Sequence, residues 1–97
     1  MRIISRKILR EFWEKHPDTR QPLGAWYLDV KHAHWSSPSD IKKIYPHASL
    51  LANNRVIFNI KGNNYRVVVI VQYQFGQVYI RFVGTHQEYD RIDAESI

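Results

Sequence analysis

The chain has 97 residues, 44% of them hydrophobic and 24% charged, which is typical of a single soluble globular domain over residues 1–97 and excludes a disordered chain. It contains no cysteine, no apolar run of membrane-spanning length and no signal-peptide core, so we expect a cytoplasmic protein without disulfides, thiolate metal sites or a membrane partner. Its net charge of +5 favours a polyanionic partner, most simply a nucleic acid.

The N-terminal segment predicts a short strand and an amphipathic helix. Residues 2–4 are partly β-branched and predict an edge strand of a sheet. Ser5 stands where a side chain caps a helix, and the helix that follows carries Leu9 and Trp13 on its apolar face and ends at Pro17. The basic face of this helix is interpreted as solvated, with phosphate contact as the alternative.

A second helix is predicted over residues 19–35, because apolar residues recur there with a period of 3.6. Trp26 and Tyr27 belong to the apolar face of this helix and are assigned to core packing. Stacking on nucleic-acid bases is the competing interpretation of this aromatic pair.

A third, short helix is predicted to start at Ser37 and Pro38, where a capping residue precedes a proline. Its apolar side chains, Ile41 and Ile44, are predicted to point inward. The connector over residues 46–54 follows and is predicted to be the most mobile segment of the chain.

The C-terminal half predicts an antiparallel meander of three strands. Residues 56–60, 65–73 and 78–83 are rich in β-branched and aromatic side chains, and turn-forming residues separate them. The middle strand is apolar on both faces, which is typical of a central strand covered on both sides. The two N-terminal helices are therefore predicted to pack on one face of a small antiparallel sheet, giving an α+β fold.

The lengths of the two turns decide which side chains share a face of this sheet. If the first turn is a two-residue loop, Asn59 lies opposite Arg66. If the second is also a two-residue loop, Arg81 lies opposite Ile70 and Arg66 lies beside Thr85. One face would then carry four polar or cationic side chains: Asn59, Lys61, Arg66 and Arg81. A three-residue loop would turn one strand over and separate them.

The third strand leads into a short helical turn. Gly84 ends the strand, and Thr85 and Glu88 have the spacing of a capping box. His86 and Tyr89 are three residues apart, so they are neighbours on that turn, which begins close to the arginines of the sheet. Cationic and aromatic side chains are therefore predicted to converge on one end of the sheet.

Two segments of this region carry a family resemblance. Residues 58–68, FNIKGNNYRVV, and residues 79–90, YIRFVGTHQEYD, closely resemble the HigB family of toxins from bacterial toxin–antitoxin modules, within the wider RelE-like group of messenger-RNA endonucleases. The resemblance implies a RelE-like α+β fold and cleavage of mRNA, usually on the translating ribosome. It also implies neutralisation by a cognate antitoxin, in an assembly such as a heterotetramer or a higher complex.

Cutting RNA without a metal needs a base for the ribose 2′-hydroxyl proton, cations for the phosphorane and an acid for the leaving 5′-oxygen. Histidine can serve as acid or base near neutral pH, so His86 is the first choice for proton transfer. Arg66 and Arg81 are assigned to the scissile phosphate, because a guanidinium fork matches its geometry. Tyr89 is assigned to base stacking, ribose positioning or a share in proton transfer. All four match positions of the family motifs, and RNA binding is assigned to Asn59, Lys61, Asn64 and Tyr65.

Structural roles compete with these assignments. Arg66 could instead pair with Glu88 or Asp90 and hold the last helix, and His86 could be an exposed first-turn histidine. A non-catalytic RNA- or ribosome-binding module is the alternative function, although the exposed aromatic pair expected of such a sheet is missing. Acidic residues are dispersed and the helical histidines point apart, so neither a metal nor a cofactor is predicted.

Overall fold

Five strands and four α-helices make up the structure, a computed structural model that describes residues 1–97. The strands are β1 Arg2–Ile4, β2 Ser49–Leu50, β3 Arg55–Ile60, β4 Tyr65–Gln72 and β5 Gln77–Thr85. The helices are α1 Arg6–Lys15, α2 Arg20–His32, α3 Pro38–Ile44 and α4 His86–Tyr89. One sheet holds the strands in the order β1-β5-β4-β3-β2, with only β1 and β5 parallel. The predicted α+β fold class is confirmed.

The N-terminal strand and helix follow the sequence pattern, apart from the helix cap. β1 lies at the sheet edge as predicted, and α1 stops before a 3-10 turn over Pro17–Thr19. Ser5 occupies the N-cap position, but its backbone is left-handed (φ 75°) and its side chain caps nothing. The predicted cap is wrong, because a capping side chain normally requires extended backbone at that position.

The second and third helices differ from the prediction at their C-terminal ends. α2 ends at His32, earlier than predicted, because the next residue is extended. In α3, Ile41 is fully buried as expected, but Ile44 is 61% exposed. The inward position is taken by Tyr45, whose ring centroid lies 5.1 Å from that of Phe58. Tyr45 lies four residues after Ile41 and therefore shares its helical face.

The register of β3 and β4 is the predicted one. Asn59 pairs with Arg66 and Ile60 pairs with Tyr65, with a turn over residues 61–64 between them. The predicted connector contains β2, a two-residue strand that the sequence did not indicate and that pairs with β3 at the sheet edge. Both edges of β3 are therefore paired, one with β2 and the other with β4, and β4 likewise lies between β3 and β5.

The register of β4 and β5 differs from the prediction. Ile70 pairs with Tyr79 instead of Arg81, and Arg66 pairs with Gly84. The first cause is the connection, in which a 3-10 turn over Tyr73–Phe75 replaces the predicted two-residue loop. This turn moves β5 along β4.

A β-bulge in β5 is the second cause of the altered register. Val68 pairs with Phe82 and Val69 pairs with Ile80, so Arg81 is the extra residue and has no partner on β4. Arg81 thus loses the predicted partner Ile70, and because side-chain alternation is interrupted at a bulge, the strand pattern no longer fixes its face.

Hydrophobic clusters cover both faces of the sheet. The larger cluster joins helices to sheet and contains Trp26 and Val69, with Trp13 packed against it, as predicted. The smaller cluster lies on the opposite face and consists of Ile57, Val68 and Ala94, with Leu51, Phe82, Tyr89, Ile92 and Ile97 packed against it. The middle strand β4 is therefore covered on both sides. No helix has the length and hydrophobicity needed to cross a membrane.

Candidate functional site

Arg66 is the only buried charged residue of the protein, with 8% of its surface exposed. It lies on β4, and its guanidinium bonds to the β3–β4 turn. Nη1 donates hydrogen bonds to the carbonyl oxygens of Asn63 at 2.9 Å and Tyr65 at 3.3 Å, and Nη2 donates to Oδ1 of Asn63 at 2.8 Å. All three acceptors are neutral, so the positive charge of Arg66 is positioned but not neutralised.

No carboxylate pairs with this guanidinium. The ion pairs of the protein join Lys7 to Glu11, Lys61 to Asp18, and His86 to Asp90. The alternative in which Arg66 pairs with Glu88 or Asp90 is therefore wrong, because both acids bond elsewhere. Removing a cation from water is costly unless an anion compensates it. An anion that binds to Arg66 would consequently offset the free-energy cost of burying its charge.

The Nε atom of Arg66 remains available to such an anion. It has no acceptor within the protein, and the fully buried polar side-chain atoms without a partner are only the indole nitrogens of Trp26 and Trp35. Arg66 Nε therefore still reaches solvent. A guanidinium that has two nitrogens fixed and a third free can receive a phosphate oxygen without rearranging.

Tyr89 covers Arg66 from α4. The guanidinium carbon lies 5.8 Å from the centroid of the Tyr89 ring, which is cation–π distance. The predicted capping box fixes α4: Thr85 Oγ1 accepts from the backbone N–H of Glu88 at 3.1 Å, and Glu88 Oε1 accepts from that of Thr85 at 2.9 Å. The hydrogen bond from the Thr85 backbone is the main cause that holds the pKa of Glu88 below its ordinary value.

The close packing around the start of α4 depends on Gly84. A Cβ atom at this position would lie 3.2 Å from Cβ of Glu88 and would overlap the ring of Phe82. Gly84 pairs with Arg66 across the strands, so this contact lies beside the arginine. The absence of a side chain lets Phe82 and α4 close over the end of the sheet.

His86 forms a pair with Asp90 at the other end of the same turn. Its Nδ1 lies 3.1 Å from Asp90 Oδ2, and both side chains are about half exposed. A carboxylate at this distance favours the neutral tautomer with its proton on Nδ1, in which Nε2 is the proton acceptor. The sequence pattern suggested Asp90 only as a partner of Arg66, although the i,i+4 spacing of His86 and Asp90 is a signal for their pairing.

A surface depression of about 450 Å³ connects His86 with the residues that hold Arg66. Its walls are Asn63, Asn64, Tyr65, Thr85, His86 and Gln87. The backbone N–H of His86 donates to the carbonyl oxygen of Asn64 at 3.0 Å, which ties α4 to the β3–β4 turn. His86 and Asn63, the residue that holds Arg66, thus lie on one depression.

Lys61 and Tyr65 are engaged by an acid that the sequence analysis did not single out. Lys61 Nζ donates to Asp18 Oδ2 at 2.9 Å, and the Tyr65 hydroxyl donates to the same oxygen at 2.7 Å. The bond from Lys61 is the largest cause that holds the pKa of Asp18 below its ordinary value, and the bond to Asp18 raises the pKa of Tyr65. Because Asp18 lies in the helical layer, the prediction that Lys61 shares a face with Arg66 is wrong.

The other predicted residues remain free. Arg81 is exposed at the bulge and makes no hydrogen bond or ion pair. Asn59 and Asn64 are exposed as well, and their side chains make no hydrogen bond within the protein. All three side chains are available for a ligand, whereas those of Arg66 and Tyr89 contact each other and that of His86 pairs with Asp90.

His16 is a further side chain of this region that the sequence analysis did not assign to RNA chemistry. Its ring stacks on Phe12 at 4.3 Å between centroids and meets Tyr65 edge-on at 5.9 Å. It also lies close enough to Glu88 to help lower the pKa of that carboxyl. No local signal identifies His16, because it reaches the site through the packing of α1 on the sheet. No group of three or more histidine and acidic side chains is arranged to hold a metal ion.

Comparison with known proteins identifies the family of the chain. Residues 19–92 match the family described as HigB_toxin, the RelE-like toxic component of a toxin–antitoxin system. The mRNA interferase toxin HigB of Escherichia coli K12 is 32% identical over 92 residues, which cover 93% of this chain and 88% of that protein. An mRNA interferase HigB from E. coli O6:H1 is 24% identical over 94 residues, covering 95% and 91%. The chain therefore belongs to the HigB family of RelE-like toxins of toxin–antitoxin systems.

Proposed function

We propose that this chain is an endoribonuclease that cleaves mRNA and thereby inhibits translation. The observation that carries the proposal is the buried, unneutralised guanidinium of Arg66, which lies against Tyr89 of the same helical turn that carries the His86–Asp90 pair. A fixed cation without an internal anion stabilises charge that develops on a phosphate, and a histidine with one free nitrogen accepts a proton. The relatives named mRNA interferases support the same activity.

The reaction follows from these roles. Nε2 of His86 takes the proton of the ribose 2′-hydroxyl, and Asp90 holds the ring and stabilises the charge that it gains. The 2′-oxygen attacks the phosphorus, and Arg66 balances the additional negative charge of the phosphorane. The bond from phosphorus to the 5′-oxygen breaks, and that oxygen takes a proton from water. The products are a 2′,3′-cyclic phosphate and a 5′-hydroxyl, and no metal participates.

The remaining residues guide the substrate in this proposal. Tyr89 is a positioning residue, because its ring holds the guanidinium of Arg66. Arg81 and Asn64 are exposed and bind the RNA backbone on either side of the cut. Lys61 and Tyr65 do so after RNA displaces the carboxylate of Asp18, which occupies both of their donors.

The cellular setting completes the proposal. The chain acts in the cytoplasm on mRNA in the translating ribosome, whose RNA contributes to substrate positioning. A cognate antitoxin with an acidic or amphipathic segment covers the cationic site, in a heterotetramer or a higher complex. The net charge of +5 and the family of toxin–antitoxin components support such a partner.

The test is the chemistry of the cut ends. The purified chain is added to a translation extract with a labelled mRNA, and the fragments are treated with enzymes that distinguish 2′,3′-cyclic phosphate, 3′-phosphate and 5′-phosphate ends. Cyclic phosphate with 5′-hydroxyl ends is the expected result. Fragments with 5′-phosphate ends would contradict attack by the 2′-hydroxyl. Binding to RNA or ribosomes without any cut would favour the non-catalytic alternative.

A further inference from the structure

A groove between α1 and α2, the α1–α2 groove, lies on the outer surface of the helical layer. Its volume is about 350 Å³, and it opens to solvent. The residues that line it are Arg6, Trp13, Gly24, Tyr27, Leu28 and Lys31. The two helices cover one face of the sheet through core residues such as Leu9 and Val30, whereas Tyr89 and the guanidinium beside it lie on the other face. The groove is therefore separate from the proposed catalytic residues.

Apolar side chains that the fold leaves partly uncovered form the walls of the groove. Leu28 is 54% exposed, and Trp13 and Tyr27 are half-buried and packed against the core. Tyr27 and Leu28 follow Gly24 by three and four residues, so the three positions form one stripe along α2. Burying this stripe against a partner would be favourable, because it removes apolar surface from water.

Gly24 keeps the groove open. It lies in the interior of α2, where glycine is less favourable for the helix than alanine. Its φ is not positive, and a Cβ atom added there would meet no atom within 4 Å. Neither the backbone conformation nor packing within the chain therefore requires glycine at this position. What the missing side chain provides is space between Trp13 and Leu28 for a side chain of a partner.

Two cations without an acidic partner stand at one end of the groove. The guanidinium carbon of Arg6 lies 4.8 Å from the centroid of the Tyr27 ring, and Lys31 follows Tyr27 by one helical turn. Neither cation forms an ion pair, and no acidic residue lines the groove. An acidic group of a partner can therefore pair with Arg6 and Lys31 without displacing an internal acid.

This combination of walls and charges favours one class of partner. A nucleic acid would bring phosphates to the groove and leave Leu28 and the aromatic walls exposed to water. A second copy of this chain would bring like charges together, since each copy carries a net charge of +5. An amphipathic helix fits, because its apolar stripe can cover Trp13 and Leu28 while acidic residues at its edge pair with Arg6 and Lys31.

We propose that the α1–α2 groove binds an acidic amphipathic helix of the cognate antitoxin. The inference rests on the antitoxin partner of the proposed function. It gives that partner a second contact, apart from the segment assigned to the cationic site. An apolar side chain of the helix enters the space over Gly24, and acidic side chains contact Arg6 and Lys31. Docking at this groove holds the antitoxin on the chain without using a residue that contacts RNA.

The first experiment compares glutamate at two neighbouring positions of α2. Gly24→Glu fills the groove and adds a negative charge, and the added Cβ meets no atom of the chain. Ala25→Glu is the matched control, because it adds the same charge at an exposed position that does not line the groove. The antitoxin used is the protein encoded by the reading frame next to that of this chain. Calorimetry gives its affinity for each full-length variant, and circular dichroism shows that each variant is folded.

We expect Gly24→Glu to weaken binding of the antitoxin by at least about tenfold and Ala25→Glu to stay within about twofold of wild type. Cleavage of mRNA by both free variants should keep the wild-type rate, since neither position contacts RNA in the proposed function. Equal affinities of the two variants would overturn the inference and leave the cleavage chemistry intact. Weaker binding by Gly24→Glu in a chain that cuts no RNA would retain the groove contact and reject the proposed function.

The second experiment tests the acidic character of the partner. Lys31→Glu reverses a charge of the groove, and Lys43→Glu reverses an exposed charge of α3 outside it. Lys31→Glu should bind the same antitoxin more weakly than Lys43→Glu at low salt, and the difference should shrink as salt screens the charges. Equal affinities of these two variants at every salt concentration would overturn the assignment of an acidic partner. If the antitoxin did not bind the wild-type chain, the inference would be overturned together with the antitoxin contact of the proposed function.

Discussion

The guanidinium of Arg66 lies over the ring of Tyr89, with 5.8 Å between its central carbon and the ring centroid. Arg66 belongs to the middle strand β4 and Tyr89 to the short helix α4, so this contact joins the sheet to the turn that carries His86. The capping box at the start of α4 keeps the turn in place. The positions of Arg66, the candidate phosphate-binding residue, and of His86, the candidate general base, are therefore coupled through α4.

Tyr89 is expected to act through its ring and not through its hydroxyl. Tyr89→Phe should keep cleavage within a few-fold of wild type, because the ring still covers Arg66. Tyr89→Leu should lose about tenfold, since a cation–π contact in a partly buried site is worth about 1–2 kcal/mol. Cleavage rates across pH check the assignment. If Tyr89→Phe were as defective as Tyr89→Leu and changed the alkaline limb of the profile, the hydroxyl would be a proton donor.

Asp90 is expected to set the orientation of His86. His86→Ala should lower the cleavage rate by about a hundredfold, in the range of general base catalysis. Asp90→Asn should lower it less, by about tenfold, and should move the pH–rate profile, because a neutral amide cannot stabilise a charged ring and its NH2 group can also pair with the unprotonated Nδ1. Glu95→Gln, which removes an exposed acid of the C-terminal tail, is the matched control. A wild-type profile in Asp90→Asn would show that the pair has no catalytic role.

Asp18 is expected to weaken RNA binding by competing for Lys61. Asp18→Asn should raise affinity for single-stranded RNA and steepen the slope of log K against log salt by about 0.7, the contribution of one additional phosphate contact. Glu14→Gln is the matched control, since it removes an exposed acid of α1 that forms no ion pair. Binding isotherms for RNA, measured at several salt concentrations, give the affinity and the salt slope of each protein. Equal slopes for Asp18→Asn and wild type would mean that Lys61 does not contact RNA.

The capping box is expected to make stability depend on pH. The pKa of Glu88 is held below its ordinary value of 4.5, chiefly by the Thr85 backbone hydrogen bond, so its stabilising contribution is complete above pH 4.5 and is lost as pH falls through the lower folded-state pKa. At pH 7, Glu88→Gln should therefore unfold at a lower urea concentration than wild type. Its free energy of unfolding should fall by at most about 1 kcal/mol, because the site is exposed. The difference from wild type should close as pH falls through the lowered pKa of Glu88. A constant difference at all pH values would contradict the charge-dependent cap.

The first hairpin could be predicted from the sequence because its register depends on a local turn. Gly62 and its neighbours tolerate positive φ, and a register with Asn59 opposite Arg66 follows from the turn length. The capping box at Thr85 could be predicted for the same reason, since both of its partners lie within one helical turn.

The errors fall where distant or irregular features decide the structure. The bulge at Arg81 and the 3-10 turn before β5 add residues that strand patterns do not reveal. Lys61 finds Asp18 across 43 positions of sequence, and His16 reaches Tyr65 only after α1 packs on the sheet. Such contacts depend on tertiary packing, so the sequence indicated which residues gather at this end of the sheet better than it indicated their partners.

Arg66→Ala tests the central claim most directly, with cleavage of mRNA in a translation extract and circular dichroism measured on the same preparation. Removing a fixed cation beside a developing phosphorane charge typically costs about 3–4 kcal/mol, so the cleavage rate should fall by at least about a hundredfold. Arg66→Lys should recover only part of this loss, because a lysine cannot reproduce the guanidinium fork. Arg20→Ala, which removes an exposed arginine of α2, should cleave as wild type does. A folded Arg66→Ala protein that cleaves at the wild-type rate would contradict the account.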